Sequence, residues 1–323
     1  MSFSAPNLTF TPLSQDNFAD LELLDYWHRH SIPANPSDHD PVRLGFSHHY
    51  LLSGILALAA LQLFDEDRSQ TRWYVRAVTH RQAAITQAAP HFQRLDKSHH
   101  QALLSFSFYT SMYTLAEPIL RPAAPGCLQP NFDPVDELLQ AIRLGRSSTV
   151  FVQQHLTSAV SSDPFLVAKY NPRRLVASQG LESAFPQLAW LRSFIERHCQ
   201  GEEKAVCLDA AESLFVSIDR LVNHPDGPTQ ICAIGAIWGW ASNVSSTFLD
   251  LCSAQNTAAL VVFAHFAVLM SLGRGNWYLQ SWPTVLISHI RGLLKGELED
   301  AVRWPEEVIF GNRVILPSLL STA

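Results

Sequence analysis

What this sequence is short of narrows its function more than any motif it contains. The longest apolar stretches, Leu51 to Phe64, Ile231 to Ala241 and Ala258 to Leu272, fall below the roughly 20 residues needed to cross a bilayer, so they read as buried core helices with no membrane span. The N-terminus, Met1 to Phe10, has neither the basic start nor the unbroken apolar run of a signal peptide. Five cysteines, Cys127, Cys199, Cys207, Cys232 and Cys252, are odd in number, scattered and never in a CxxC pair. That argues against a disulfide framework or a zinc site, and for a reducing, intracellular setting: cytoplasmic, or nuclear if the protein is regulatory. Charge is sparse as well, at 16% of residues, and the net value of −6 is the wrong sign for a surface that displaces counterions from phosphate backbones. Direct nucleic-acid binding is not expected.

Strand patterns are also lacking. In place of short alternating segments, the chain has long apolar runs at helical spacing, rich in Ala, Leu and Gln. The spacing predicts an all-α fold: one large helical bundle with an apolar internal pocket, forming a single domain over 1–323 with its core at about 11–310. Helices are expected near 20–30, 47–64, 70–90, 98–117, 134–158, 183–199, 203–223, 230–252, 256–272 and 277–295. Three irregular stretches separate them. Glu117 to Pro134 holds Pro118, Pro122, Pro125, Pro130 and Pro134, too many for a helix interior, and is expected to be a surface loop or a lid. Asp133-Pro134 then starts the next helix, with Asp as its cap and Pro in its first position. The other two breaks are Ser161 to Pro172 and Asn223 to Thr229.

Conventional chemistry has no signature. The histidine pairs His28/His30, His48/His49 and His99/His100 have the wrong spacing for one helical face, and no HExxH occurs, so no bound metal is expected. Gly273-Arg274-Gly275 lacks the longer pattern of a phosphate loop and reads as a turn between helices. There is no GxSxG elbow. No cofactor is expected.

What is present is a set of apolar helices carrying a few polar groups. In 99–116, Phe106, Phe108, Tyr109, Met112 and Tyr113 lie among Ser105, Ser107, Thr110, Ser111 and Thr114. In 231–248, Trp238 and Trp240 accompany Asn243 and Ser246. Each pattern suits plain core packing, and each also suits an apolar wall with convergent polar groups, which is what a ligand site requires. His265, between Phe263 and Phe266, is open to the same two readings.

Two blocks carry a resemblance. Asp20-Leu-Glu-Leu-Leu-Asp-Tyr-Trp-His28 with Leu44 to Leu61, and the C-terminal run Ala258 to Met270 with Trp277, Trp282 and Trp304-Pro305, resemble the regulatory domain of fungal zinc-cluster transcription factors of the sterol uptake control type. The resemblance spans about residues 11–310 and is weak in the middle. It implies an all-helical, usually dimeric bundle, hence a homodimer here, with an apolar sterol pocket near Trp238, Trp240, Asn243, Phe263, Phe266 and Met270. In that family a six-cysteine zinc cluster and a linker come first, whereas here Met1 stands a short way before the first matching block, so the expectation is a ligand-binding part without a DNA-reading head.

Two functions then compete. One is a sterol or metabolite sensor acting through a DNA-binding partner. The other, which is preferred, is a cofactor-independent cyclase or isomerase of the Diels-Alder type, acting on a terpenoid or polyketide intermediate of fungal secondary metabolism. A [4+2] addition moves no proton, and holding the reactant folded supplies roughly 7–11 kcal/mol in favourable cases. One buried donor to a carbonyl adds about 3 kcal/mol. The expected donors are Asn243, His265, Tyr109 and Tyr113, and the expected lining is Phe106, Met112, Trp238, Trp240, Phe263, Phe266 and Met270.

Overall fold

The computed structural model describes residues 15–30, 40–94, 96–121, 132–156, 180–223, 229–294 and 296–311. Among these, every regular element is helical and no strand occurs. The first half contains α1 (Gln15–His30), α2 (Pro41–Ser47), α3 (His49–Glu66), α4 (Thr71–Gln93), α5 (His100–Leu120) and α6 (Pro134–His155). The second half contains α7 (Leu181–Ala184), α8 (Pro186–His198), α9 (Gly201–Val222), α10 (Gln230–Asn243), α11 (Ser246–Ser253), α12 (Thr257–Ser271), α13 (Trp282–Leu293) and α14 (Arg303–Phe310).

The burial of each helix follows its composition. In α12 every residue from Ala258 to Met270 is buried, because α8, α9, α10, α11, α13 and α14 all pack around it. A helix apolar on all sides needs such neighbours on all sides. α3 is the counterpart in the first half, with Ile55 to Leu61 continuously buried against α1, α4 and α5. By contrast α4 is amphipathic: Trp73, Ala77, Ala84 and Ala88 form one buried stripe, while Val75, Val78 and Ile85 are exposed. A large core joins both halves, and a smaller one gathers Tyr50, Leu51, Ile55, Ala84, Ala88, Leu103, Phe106 and Val152.

Several local expectations hold. Asp133 caps α6, its carboxylate accepting from Val135 N at 2.8 Å and Asp136 N at 3.2 Å, with Pro134 as the first helical residue. Gly273 to Gly275 form a turn between α12 and the next 3-10 segment. No single described helix is long and apolar enough to cross a membrane; α11 and α12 qualify only as a pair, and they meet at 105°.

Other expectations are corrected. The helix expected over 230–252 breaks at Val244, because Ser245 accepts from Phe248 N at 3.1 Å and starts a new helix. α5 continues through Pro118 to Leu120, which places Glu117 and Pro118 inside a helix and not in the proline-rich loop. Pro118 has no N–H to donate back to the carbonyl of residue 114, and α5 ends two residues later at Leu120. α2 and α14 were not expected at all. The remainder of the proline-rich stretch up to 131, and the breaks at 161–172 and 224–228, lie outside the described residues.

Candidate functional site

The expected site residues separate into three environments. The first is the interior around α12. His265 is 1% exposed, and its Nδ1–H donates to the Val261 carbonyl at 2.8 Å. Its ring stacks on Trp304 at 5.4 Å and tilts against Phe215 at 6.1 Å. Burial drives its pKa from 6.5 down to about 4, so the imidazole is neutral near pH 7. Nearby, Trp240 stacks on Phe266 at 4.4 Å and donates its indole N–H to the Ala210 carbonyl at 3.0 Å. Phe263 stacks on Phe266 at 5.7 Å, and Met270 is buried. Trp238 lies against α6 so closely that a Cβ on Gly145 would stand 2.5 Å from its ring. These side chains meet one another as closely packed core residues.

The second environment is the periphery. Asn243, the last residue of α10, is exposed and turns its amide back onto the Gly239 carbonyl at 2.7 Å. Phe106 belongs to the smaller core, edge-on to Tyr50 at 5.7 Å and 6.2 Å from Phe92, whereas Met112 belongs to the larger one.

The third environment has the chemistry. Tyr109 and Tyr113 stand one turn apart on α5 and therefore share a face. Tyr109 is half-buried and meets Trp27 edge-on at 5.3 Å. Tyr113 is 3% exposed, yet its hydroxyl has no hydrogen-bond partner among the described residues. The Arg81 guanidinium lies over its ring, 4.9 Å from the centroid. Burial raises the Tyr113 pKa, which keeps the phenol protonated and able to donate. One turn further along, Glu117 accepts from Tyr74 OH at 2.7 Å and from Arg121 Nε at 2.9 Å and Nη2 at 2.6 Å. Arg121 Nη1 also reaches Glu137 at 2.9 Å. Burial pushes the Glu117 carboxyl up, but Arg121 and Tyr74 outweigh it and hold it below the usual range.

An unpartnered buried hydroxyl costs about 1–3 kcal/mol and is uncommon in native proteins. A ligand oxygen placed against Tyr113 removes that cost. The histidines at the other end of α4 do not form a comparable centre. His91 stacks on His99 at 4.1 Å and His48 meets His99 at 4.7 Å, ring against ring, and no group of described residues is arranged to hold a metal ion.

Sequence patterning missed Arg81, Tyr74, Glu117, Arg121 and Glu137. A signal existed for Arg81, which falls on the same stripe as Trp73, Ala77, Ala84 and Ala88 and is its one charged member. Compared with protein families, characterised proteins and solved structures, the chain matches none.

Proposed function

We propose that this chain binds an apolar small molecule bearing an oxygen acceptor and acts on it as a cofactor-independent cyclase or isomerase. A terpenoid or polyketide intermediate undergoing an intramolecular [4+2] addition is the kind of substrate meant. The observation that carries the reading is the Tyr113 hydroxyl, almost fully buried, protonated and without an acceptor among the described residues. A donor fixed in advance at a place of low dielectric stabilises charge developing on a substrate carbonyl without reorganising. One turn away on α5, Tyr109 packs with the rings of Trp27 and Phe108, so the surroundings of the donor on that side are apolar. Folding the reactant supplies the entropic part of the acceleration.

The test is to incubate the purified protein with apolar polyene and terpenoid intermediates and to look for a product of equal mass. Tyr113→Phe is expected to slow product formation by about 100-fold, the scale of one lost oxyanion-type donor, with the circular dichroism spectrum unchanged. Turnover unaffected by that substitution refutes the assignment of Tyr113. A ligand bound but never altered supports the sensor in place of the enzyme.

A further inference from the structure

α4 has a second apolar face. Val78 is 44% and Ile85 39% exposed, on the side away from the buried stripe of Trp73, Ala77, Ala84 and Ala88. On this side Val78, Thr79, Gln82, Ala83, Thr86 and Gln87 line a groove of about 560 Å³. We infer that the groove is covered by the chain's own residues before α1, Met1 to Ser14, laid along α4 in extended form with Leu8 and Phe10 against it.

The face demands less of water than its residue types suggest. Thr79 Oγ1 donates to the Val75 carbonyl at 2.9 Å, and Thr86 Oγ1 to the Gln82 carbonyl at 2.9 Å, so both hydroxyls are engaged by the helix itself. No groove residue is charged, and neither is any residue from Met1 to Ser14. Bringing the two together therefore strips no ion of its hydration.

α1 delivers the segment to this place. The Tyr26 hydroxyl donates to Glu66 at the end of α3, Glu22 meets Arg72 at 3.6 Å, and Asp20 meets Arg76 at 2.6 Å and His80 at 2.9 Å. α1 thus runs antiparallel to α4 and begins beside its middle, where Arg76 donates to the Asp16 carboxylate at 2.7 Å and to its carbonyl at 2.7 Å. Thr79 and Ala83, at the near end of the groove, lie within two turns of Arg76. From Arg76 to Gln87 is about 17 Å at 1.5 Å per helical residue. From Ser14 back to Leu8 an extended chain covers about 20 Å, enough to follow the groove to its end.

The residue types suit that path. Leu8 and Phe10 share one side of an extended strand, and Pro12 keeps Thr11 extended. The amides of Gln82 and Gln87 can both donate to and accept from such a backbone. A second copy of the chain fits the face less well. α4 holds Arg72, Arg76 and Arg81 and no acidic residue, so two such helices laid together oppose like charges.

The experiment introduces Leu8→Cys into the full chain together with one cysteine on α4, follows disulfide formation under a mild oxidant, and identifies the linked peptides by mass. Val75 is the reference position, because it is 57% exposed and adjoins Arg76 but lies outside the groove. Ala83→Cys or Gln87→Cys should link to position 8 within one chain at least about tenfold faster than Val75→Cys, the ratio that about 1.4 kcal/mol of docking produces. Adding Phe10→Ser should bring the three rates together with the circular dichroism spectrum unchanged. Equal rates at the three positions with Phe10 in place overturn the inference. So do links that form only between two chains, which assign the face to a second copy. Either result leaves the reading of Tyr113 standing.

Discussion

Replacing His265 with phenylalanine should make the protein resistant to mild acid. His265 is 1% exposed, makes its one described hydrogen bond through Nδ1–H to Val261, and lies flat against Trp304. No carboxylate contributes to its titration; burial drives the pKa from 6.5 to about 4, against a smaller upward pull from the hydrogen bond to Val261. A histidine whose pKa is depressed on folding takes up its proton more readily when unfolded, so its stabilising contribution is complete above pH 6.5 and is lost as the pH falls towards 4. At about 1.4 kcal/mol per tenfold change in proton affinity, the gap amounts to about 3 kcal/mol at pH 4. That is a large share of the 5–15 kcal/mol by which a typical domain is stable. Phenylalanine keeps the ring between Trp304 and Phe215 and removes the proton site. The assay is urea unfolding followed by tryptophan fluorescence, with wild type and His265→Phe measured between pH 7.5 and 4. Between pH 6.5 and 4 the wild type should lose about 1 kcal/mol per pH unit more than the variant. Parallel curves for the two proteins would falsify the claim that this histidine is held neutral by burial.

Three further outcomes follow from packing, capping and charge. Gly145→Ala puts a methyl 2.5 Å from the Trp238 ring and should destabilise the protein by about 1–3 kcal/mol, read as a lower denaturation midpoint at unchanged slope. Asn256→Ala removes the N-cap of α12, where the side-chain oxygen accepts from Ala258 N at 3.1 Å and Ala259 N at 3.2 Å; the expected cost is about 1 kcal/mol in the same assay. At the junction of α2, α3 and α4, burial first, and then the neighbouring histidines, lower the pKa values of His48 and His91. Acidification below pH 6.5 should therefore loosen this corner, seen as faster amide exchange in 48–52, and His91→Phe should reduce the effect. Exchange there that does not depend on pH, after correction for the intrinsic rate, refutes this.

Helix content and burial were legible in the residues because both are local properties of composition and period. The unbroken apolar run from Ala258 to Met270 requires neighbours on every side, and α12 has them. The Asp133-Pro134 cap and the turn at Gly273 depend on the conformational limits of one or two residues and needed nothing from the rest of the chain. The break at Val244 was less legible, since Ser245 becomes a cap only when α11 turns away from α10 to meet α6, α9 and α12. Which polar groups converge was not legible at all. Tyr109 and Tyr113 could be placed on one helical face by spacing, but Arg81 reaches Tyr113 from another helix, and Glu137 reaches Arg121 from a third. Such pairings depend on the register between helices, which hydrophobic periodicity does not encode. The same patterning that makes Asn243 and Phe106 resemble pocket residues leaves one at an exposed helix end and the other in a separate core. Residue order by itself therefore determined which segments are helical and which faces are buried; only the tertiary structure, by setting helix against helix, decided that the Tyr113 phenol on the buried side would be left without a hydrogen-bond partner among the described residues.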